Sequence, residues 1–154
     1  MIKVLFVCHG NICRSPMAEF MFKDLLNKNN LSDKFHVESR ATSYEEIGNG
    51  IHYGTKRILD KLNIKDYQNK KAQRMSIDDY NYYDFIIAMD DNNIYNLERI
   101  QPDRLKKYSL LLDYTDLKRN ISDPWYTGDF NKTYQDISIG LDGFLKYLRN
   151  KKLI

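Results

Sequence analysis

Two cysteines, an arginine and a serine stand together in the segment VLFVCHGNICRSPMAE, which runs from Val4 to Glu19. Cys8 and Cys13 are the only cysteines of the chain, and Arg14 and Ser15 follow the second one directly. A cysteine thiolate is a strong nucleophile, and a guanidinium can bind two phosphate oxygens at once. The spacing Cys-x5-Arg-Ser therefore indicates nucleophilic attack on a phosphate ester.

The residues between the two cysteines have the features of an anion-binding loop. Their backbone N–H groups can point inward, and the positive end of the following helix dipole adds to their field. Gly10 permits the backbone angles that such a curl requires, and Asn11 is among the few other residues that tolerate them. We expect the phosphate to contact His9, Gly10, Asn11, Ile12, Cys13 and Ser15.

The same positive field favours the ionised form of the Cys8 thiol, which is the nucleophile. Ser15 can donate a hydrogen bond to that thiolate. Attack on phosphorus would give a cysteinyl-phosphate, which water must then hydrolyse. The alternative is that Cys8 is only a small buried hydrophobic residue at a strand end. Its position in a glycine-containing loop between a strand and a helix makes this alternative weaker.

A thiolate mechanism also needs an acid that protonates the leaving oxygen. Asp123 is the candidate, in a loop stiffened by Pro124 and followed by Trp125 and Tyr126. These aromatic side chains could shield the carboxyl group from water and so favour its protonated form. The alternative is that Asp123 and Pro124 simply begin a turn.

Hydrophobic patterning predicts the scaffold that positions these residues, in which strands alternate with helices. The predicted strands are Ile2–Val7, Phe35–Ser39, Tyr83–Met89 and Tyr108–Leu112. The predicted helices run from Ser15 to about Asn29, across Ile58 to Leu62, from Ser76 as a capped turn, from Asp90 to Ile100 and from Phe130 to Leu148. Strands that are apolar on both faces favour an α/β fold with a parallel sheet covered by helices. Cys8 would then lie at the carboxyl end of the first strand, where such folds bind ligands.

Length and composition exclude several classes of protein. The 154 residues suit one domain spanning 1–154, without a linker or a repeat. No apolar segment approaches the roughly 20 residues that span a bilayer, and the first residues lack a signal-peptide pattern. We therefore expect a cytoplasmic protein without membrane contacts. The net charge of +3, with scattered basic residues, gives no indication of nucleic-acid binding.

Other kinds of phosphate chemistry have no support in the sequence. The loop lacks the Gly-Lys-Ser/Thr of a nucleotide P-loop and the three spaced glycines of a dinucleotide fold. The histidines, His9, His36 and His52, lie far apart and form no ligand-spaced motif with carboxylates. We expect neither a metal nor another cofactor.

Four segments together resemble the low-molecular-weight protein tyrosine phosphatases. These segments are VCHGNICRSPMAE, ATSYEEIGNG, YDFIIAMDDNN and SDPWYTGDF, and the resemblance covers nearly the whole chain. It implies a three-layer α/β fold, with a four-stranded parallel sheet and helices on both faces. It also implies metal-independent hydrolysis of phosphotyrosine in proteins or peptides, and of small aryl phosphates, with inorganic phosphate as product. We expect a monomer.

The resemblance also implies roles for single residues. Cys8 corresponds to the nucleophile, Arg14 to the phosphate clamp, and Asp123 to the general acid that later acts as a base. Cys13 corresponds to a second cysteine that can form a protective disulfide with the nucleophile under oxidation. The residues that order the loop or stabilise the thiolate are Asn11, Ser15 and Ser39.

The chain departs from the family pattern at several positions near the expected site. His9 stands where leucine is common, and Lys70 takes the place of a histidine that supports the phosphate loop. Tyr44 comes directly after Ser43, one position earlier than the usual aromatic residue, and Trp125 replaces the first of two tyrosines. We expect Tyr44, Trp125 and Tyr126 to contact the substrate.

Two alternative functions remain open at this point. A thiol-dependent arsenate reductase can be built on the same scaffold, but it needs further cysteines, and this chain has only Cys8 and Cys13. A non-catalytic phosphotyrosine-binding module could retain the anion-binding loop. Such a module needs neither a nucleophile nor an acid, so the presence of both Cys8 and Asp123 argues against it.

Overall fold

The first strand lies inside an all-parallel sheet, because its β-branched and aromatic residues are apolar on both faces. In the computed structural model, which describes all residues from Met1 to Ile154, this strand is β1 (Ile2–Cys8). It pairs on one side with β2 (Phe35–Ala41) and on the other with β3 (Phe85–Ala88). β4 (Tyr108–Leu110) extends the sheet beyond β3, so the strand order is β2-β1-β3-β4. The predicted four-stranded parallel sheet is confirmed.

Helices connect the strands and cover the sheet. They are α1 (Arg14–Lys28), α2 (Tyr53–Lys61), α3 (Ile77–Tyr82), α4 (Asp91–Ile100), α5 (Pro124–Thr127) and α6 (Phe130–Asn150). Short 3-10 turns lie at Ser32–Lys34 and Leu111–Tyr114. None of these helices combines the length and the apolar character needed to cross a membrane.

The side chains of β1 enter two separate cores, because successive residues of a strand point to opposite faces. Val4 and Phe6 belong to the larger core, which includes residues of α1, α2 and α6. Leu5 and Val7 belong to the smaller core, which includes Leu97 of α4 and residues around α3. The two cores confirm the predicted layers of helices on both faces of the sheet.

Several predicted bounds shift by a few residues, and two predicted segments change in type. The predicted strand at Tyr108–Leu112 stops at Leu110, because the Asp113 carboxylate accepts a hydrogen bond from Leu110 N–H at 3.0 Å and the chain turns there. The predicted loop after Asp123 contains the short helix α5, which Asp123 caps and Pro124 begins. Gly128 ends it in the left-handed conformation, with φ of 72°.

The carboxyl ends of the strands bring four segments to one edge of the sheet. β1 ends at Cys8 and β2 ends at Ala41, while Met89 and Asp90 follow β3. Residues 119–128, which we call the acid loop, reach the same edge, where Ile121 N–H donates to the Met89 carbonyl at 2.9 Å. The site is built from these segments.

Candidate active site

Residues 8–15, the phosphate loop, curl around the sulfur of Cys8. The backbone N–H groups of Asn11 and Ser15 donate to Cys8 Sγ at 3.3 and 3.4 Å. Ser15 Oγ lies 3.0 Å from the same sulfur. Backbone N–H groups placed in this way can donate hydrogen bonds to a negatively charged sulfur.

Asn11 holds the loop in its curled shape. Its backbone is left-handed, with φ of 59°, as expected for one of the few residue types that tolerate this region. The side-chain amide donates to Ser15 Oγ at 2.8 Å and to Ser39 Oγ at 2.9 Å, and its oxygen accepts from Gln73 N–H at 3.1 Å. Asn11 therefore connects the loop to β2 and to the segment before α3.

Arg14 joins the phosphate loop to the other segments of the site. Its NH1 group donates to Asp90 Oδ2 at 2.7 Å and to the Ile121 carbonyl at 2.8 Å, and NH2 donates to Asp123 Oδ2 at 3.3 Å. Burial opposes the charge, but Cys8, Asp123 and Asp90 outweigh it and raise the pKa of Arg14 above its ordinary value. The guanidinium is therefore a fixed positive charge, and its Nε is buried without a hydrogen-bond partner.

Asp123 lies in the acid loop, with its carboxylate placed by two contacts. One oxygen accepts from Trp125 N–H at 3.1 Å as the cap of α5, and the other faces Arg14. Thr133 Oγ1 donates to the Ser122 carbonyl at 3.3 Å and fixes the preceding residue against α6. The carboxylate is thus brought beside the phosphate loop, although Asp123 and Arg14 are 109 residues apart in sequence.

A bidentate ion pair anchors the start of the acid loop. Arg119 donates to both carboxylate oxygens of Asp136 at 2.9 Å, and Lys132 Nζ lies 3.3 Å from the same carboxylate. Burial would raise the pKa of Asp136, but the hydrogen bonds from Arg119 and Lys132 outweigh it and hold this pKa below its ordinary value. Asp136 is therefore a buried carboxylate that stays ionised at neutral pH.

These segments enclose a pocket of about 100 Å³. Its floor is the phosphate loop, including Cys8 and Arg14. The lining also includes Asp123, Trp125 and Tyr126 of the acid loop, and Glu45 and Glu46 from the segment after β2, together with His9. A nucleophile, a cation and a carboxyl group thus face one cavity, as attack on a phosphate ester requires.

Comparison with known proteins identifies the family. A family model described as low molecular weight phosphotyrosine protein phosphatase matches residues 3–153. The chain belongs to this family. It is therefore a phosphatase, with Cys8 and Arg14 in the position of the phosphate-binding loop.

Individual relatives agree with this assignment. The low molecular weight protein-tyrosine-phosphatase YfkJ of Bacillus subtilis is 40% identical over 156 residues, with 99% of each chain covered. The crystal structure of YfkJ has a TM-score of 0.94 at 39% identity, covering 99% of this chain and 97% of that one. The low molecular weight protein tyrosine phosphatase SP-PTP of Streptococcus pyogenes has a TM-score of 0.86 at 43% identity, covering 96% and 93%. DARP, a drosophila arginine phosphatase, has a TM-score of 0.84 at 32% identity, covering 95% and 97%.

The residues expected from the sequence fall into three groups in this phosphatase. The first group lines the pocket and consists of Cys8, His9, Gly10, Ile12, Cys13, Arg14, Asp123, Trp125 and Tyr126. The second group does not line the pocket: Asn11 and Ser15 belong to the loop and contact Cys8, and Ser39 accepts a hydrogen bond from Asn11. Tyr44 is apart from both, since it lies outside the pocket lining and stacks under Arg74, whose Cζ is 4.2 Å from the ring centroid.

A buried ion pair extends the support behind the phosphate loop. Lys70 Nζ lies 3.1 Å from Glu19 Oε1 and donates to the Ser39 carbonyl at 2.9 Å. Ser39 Oγ donates to the same Glu19 oxygen at 2.6 Å, and Asn11 donates to Ser39 Oγ. The ammonium group of Lys70 thus supports Ser39, and it shares the buried Glu19 carboxylate with Lys23, whose Nζ lies 2.6 Å from the other oxygen.

Cys13 differs from Cys8 in its surroundings. Both cysteines are free and buried. Burial, followed by the charges of Cys8 and Asp123, raises the pKa of Cys13 well above its ordinary value. Cys13 is therefore a neutral thiol, and only Cys8 has the donors that favour a thiolate.

Sequence reasoning missed four carboxylates of the site. Asp90 was expected only as a helix cap, yet it also binds Arg14, and its position directly after β3 was the available signal. Glu19 lies on α1 within the quoted motif, where its spacing indicates nothing about its partners. Glu45 and Glu46 line the pocket beside the expected Tyr44. No cluster of three or more histidine, cysteine or acidic side chains is arranged to hold a metal ion.

Proposed function

We propose that this phosphatase hydrolyses phosphotyrosine in proteins or peptides, and small aryl phosphates, through a cysteinyl-phosphate on Cys8. The observation that carries the proposal is the convergence of Cys8, Arg14 and Asp123 on one pocket. A binding module would need the cation alone, whereas this pocket also holds a nucleophile and a proton donor. A relay of the arsenate reductase type would need cysteines that the chain does not have.

The phosphoryl group binds in the curl of the phosphate loop. The backbone N–H groups of the loop and the amino end of α1 supply positive charge, and Arg14 supplies a fixed guanidinium. Arg14 Nε has no partner within the protein, so a phosphate oxygen would satisfy a buried donor. Substrate binding therefore removes an energetic cost that the free enzyme carries.

Cys8 Sγ then attacks phosphorus, and the bond from phosphorus to the tyrosyl oxygen breaks. The Asp123 carboxyl group, in its protonated form, gives its proton to that oxygen, which leaves as a neutral phenol. Arg14 lies between the two loops, so it binds the equatorial oxygens while the nucleophile and acid act on opposite sides. The phosphoryl group is now bonded to sulfur.

The second step releases inorganic phosphate. The Asp123 carboxylate takes a proton from a water molecule, whose oxygen attacks phosphorus as the bond to sulfur breaks. The sulfur leaves as a thiolate, which accepts hydrogen bonds from Ser15 and from the backbone N–H groups of Asn11 and Ser15. Neither step requires a metal or another cofactor.

The shape of the site supports an aryl phosphate as substrate. Cys8 is 3% exposed at the pocket floor, and Trp125 and Tyr126 stand above it on one wall. A phenyl ring extends the phosphate far enough from the peptide backbone to reach this floor, and it packs against the aromatic wall. The shorter phosphoserine gains neither advantage.

Steady-state hydrolysis tests the proposal. Phosphotyrosine, phosphoserine and phosphoarginine peptides of one sequence are compared with a chelator present, since one structural neighbour is named an arginine phosphatase. We expect kcat/KM for phosphotyrosine to exceed the others by at least about 100-fold, with a phosphocysteine trapped by acid quench. Equal rates on phosphoserine, dominance of phosphoarginine, or loss of activity with the chelator would contradict the proposal.

Cys13 is proposed as a redox partner of Cys8. Mild peroxide would oxidise the Cys8 thiolate to a sulfenic acid, and the Cys13 thiol would displace water to form a disulfide. We expect activity to fall and to return with added thiol. Peptide mapping that finds no link between Cys8 and Cys13 after oxidation would exclude this role.

A further inference from the structure

The mouth of the pocket carries acidic side chains on one side. Glu45 and Glu46 both line the pocket, and Glu45 has 70% of its side chain exposed. Arg14 is the only lysine or arginine in the lining, and it lies at the floor with its charge directed to Asp90 and Asp123. The parts of a substrate outside the floor therefore meet carboxylates.

Both rim carboxylates are held in place by hydrogen bonds. His9 Nε2 lies 2.9 Å from Glu45 Oε2, which links the rim to the residue after the nucleophile. Asn49 Nδ2 donates to Glu46 Oε2 at 2.7 Å. Glu46 also packs over the phosphate loop, since a Cβ at Gly10 would lie 3.3 Å from Glu46 Cγ. These contacts reduce the entropy that each carboxylate would lose on binding a cation.

The aromatic part of the pocket lining is open to solvent. Trp125 is 57% exposed and Tyr126 is 84% exposed. The Trp125 ring is also supported from the side by His52, with the ring centroids 5.8 Å apart. A guanidinium in the mouth of the pocket can form hydrogen bonds with a carboxylate and stack on an aromatic ring.

No lysine or arginine forms an ion pair with Glu45 or Glu46, and the only titratable partner within ion-pair distance is His9, beside Glu45. Arg74 neighbours the same segment, but its Nε donates to the Thr42 carbonyl at 3.2 Å and its guanidinium lies over Tyr44, outside the pocket lining. The charge at the rim thus differs in sign from the net charge of +3 of the whole chain. Overall charge would favour acidic peptides, whereas the rim favours basic ones.

We propose that the Glu45 and Glu46 rim selects phosphotyrosines that have an arginine immediately beside them in the peptide. This inference rests on the proposed phosphotyrosine phosphatase function and names its substrate class. The arginine guanidinium binds the rim carboxylates and stacks on the aromatic wall while the phosphoryl group occupies the floor. An acidic neighbour would instead face Glu45 and Glu46 and be repelled.

Two phosphotyrosine peptides, identical except for arginine or glutamate on either side of the phosphotyrosine, test this proposal. We expect kcat/KM to be about tenfold higher for the arginine peptide at low salt, with the ratio shrinking as ionic strength rises. Glu45→Gln keeps the hydrogen-bond acceptor for His9 but removes the charge, so the ratio should fall about threefold. Glu46→Gln should lower it similarly.

Asp33→Asn is the matched control variant. Asp33 is exposed in the turn before β2, at the amino end of the sheet and away from the pocket, and its removal changes the net charge equally. The ratio should be unchanged in this variant. An equal fall in Asp33→Asn would show that net charge and not the rim sets the preference, which would overturn the proposal.

Hydrolysis of p-nitrophenyl phosphate tests the phosphatase function separately from the peptide preference, since this compound has no flanking residues. The rim proposal alone would be overturned if the enzyme hydrolysed this compound and phosphotyrosine but did not prefer the arginine peptide over the glutamate peptide. It would also be overturned if neither Glu45→Gln nor Glu46→Gln changed the ratio of kcat/KM between the two peptides. Absence of turnover of both compounds would overturn the proposed function itself.

Discussion

The two loops that form the pocket are held in different ways. The phosphate loop is held by bonds among its own residues, with Asn11 and Ser15 bonded to each other and to Cys8, and by bonds from Asn11 to Ser39 and Gln73. The acid loop has its anchors on other elements, including the Met89 carbonyl after β3 and Asp136 on α6. The groups that bind phosphate are therefore neighbours along the chain, whereas the acid is brought to them from a distant segment by the fold.

Arg14 connects the two loops, because its side chain binds the acid loop while its backbone forms part of the phosphate loop. It donates to the Ile121 carbonyl and to Asp123 in the acid loop. Because of this difference in anchoring, we expect substitutions in the phosphate loop to impair the hydrolysis of every substrate. Substitutions in the acid loop should have little effect on phosphate esters whose leaving group departs without protonation.

The largest effect is expected for Cys8→Ser in the phosphate loop. A serine hydroxyl is not ionised by the donors that favour the thiolate, so turnover of an aryl phosphate should fall by about 10⁴-fold or more. Binding of tungstate, measured by calorimetry, should remain, because the N–H groups and Arg14 are unchanged. Full turnover in this variant would exclude Cys8 as the nucleophile.

Asp123→Asn should produce a large loss that depends on the leaving group. An amide cannot donate the required proton, so we expect kcat for phosphotyrosine to fall by about 10²–10³-fold. Esters of acidic phenols should lose much less, since their oxygens leave without protonation. A series of substituted phenyl phosphates measures this dependence. An equal loss across the series would remove the acid role of Asp123.

Asn11→Ala should weaken the phosphate loop without changing this dependence on the leaving group. Alanine is strained at φ of 59°, and the hydroxyls of Ser15 and Ser39 lose a donor. We expect kcat/KM to fall by about tenfold to 100-fold for all phenyl phosphates alike. A loss confined to poor leaving groups would contradict the division of work between the loops.

Asp136→Asn should act on the acid loop from a distance. Loss of the bidentate pair with Arg119 would loosen residues 119–123, so kcat should fall by about tenfold for poor leaving groups and little for good ones. Asp103→Asn is the control, since Asp103 binds Tyr80 and the backbone before β4, far from the pocket. The control should lose stability but keep the leaving-group dependence of the wild type. If Asp136→Asn showed the same leaving-group dependence as the wild type, the ion pair of Arg119 and Asp136 would not position Asp123.

The smallest expected effect is that of Asp136→Asn on the stability of the protein, and this effect depends on pH. Because the pKa of Asp136 is lowered in the folded protein, its contribution is fully present above the ordinary aspartate pKa of about 3.9 and is lost as pH falls through the folded value. We expect Asp136→Asn to lower the free energy of unfolding by about 1–3 kcal/mol at pH 7. Urea titrations should show this difference shrinking below about pH 4. A difference that grows with acidity would contradict the assigned ion pair.

Individual residues show how much of the fold and of the site could be predicted from the sequence. Val4 to Val7 are apolar on both faces, so the buried parallel strand and its two cores could be predicted. The end of β4 could not, because Asp113 turns the chain through a local hydrogen bond that competes with the strand. Tyr44, expected to contact the substrate, lies outside the pocket lining with its ring against Arg74, a neighbour that the sequence gives no means to predict.

The sequence by itself determined the phosphate loop of this protein, where Cys8, Arg14 and Ser15 lie within one short segment. Its chemistry follows from local spacing, because the donors, the cation and the thiol are neighbours along the chain. Only the tertiary structure decided other partners from elsewhere in the chain, namely Asp90, Glu45 and Asp136. The physical reason is that the sheet order, rather than distance along the chain, sets which loops meet at the carboxyl edge.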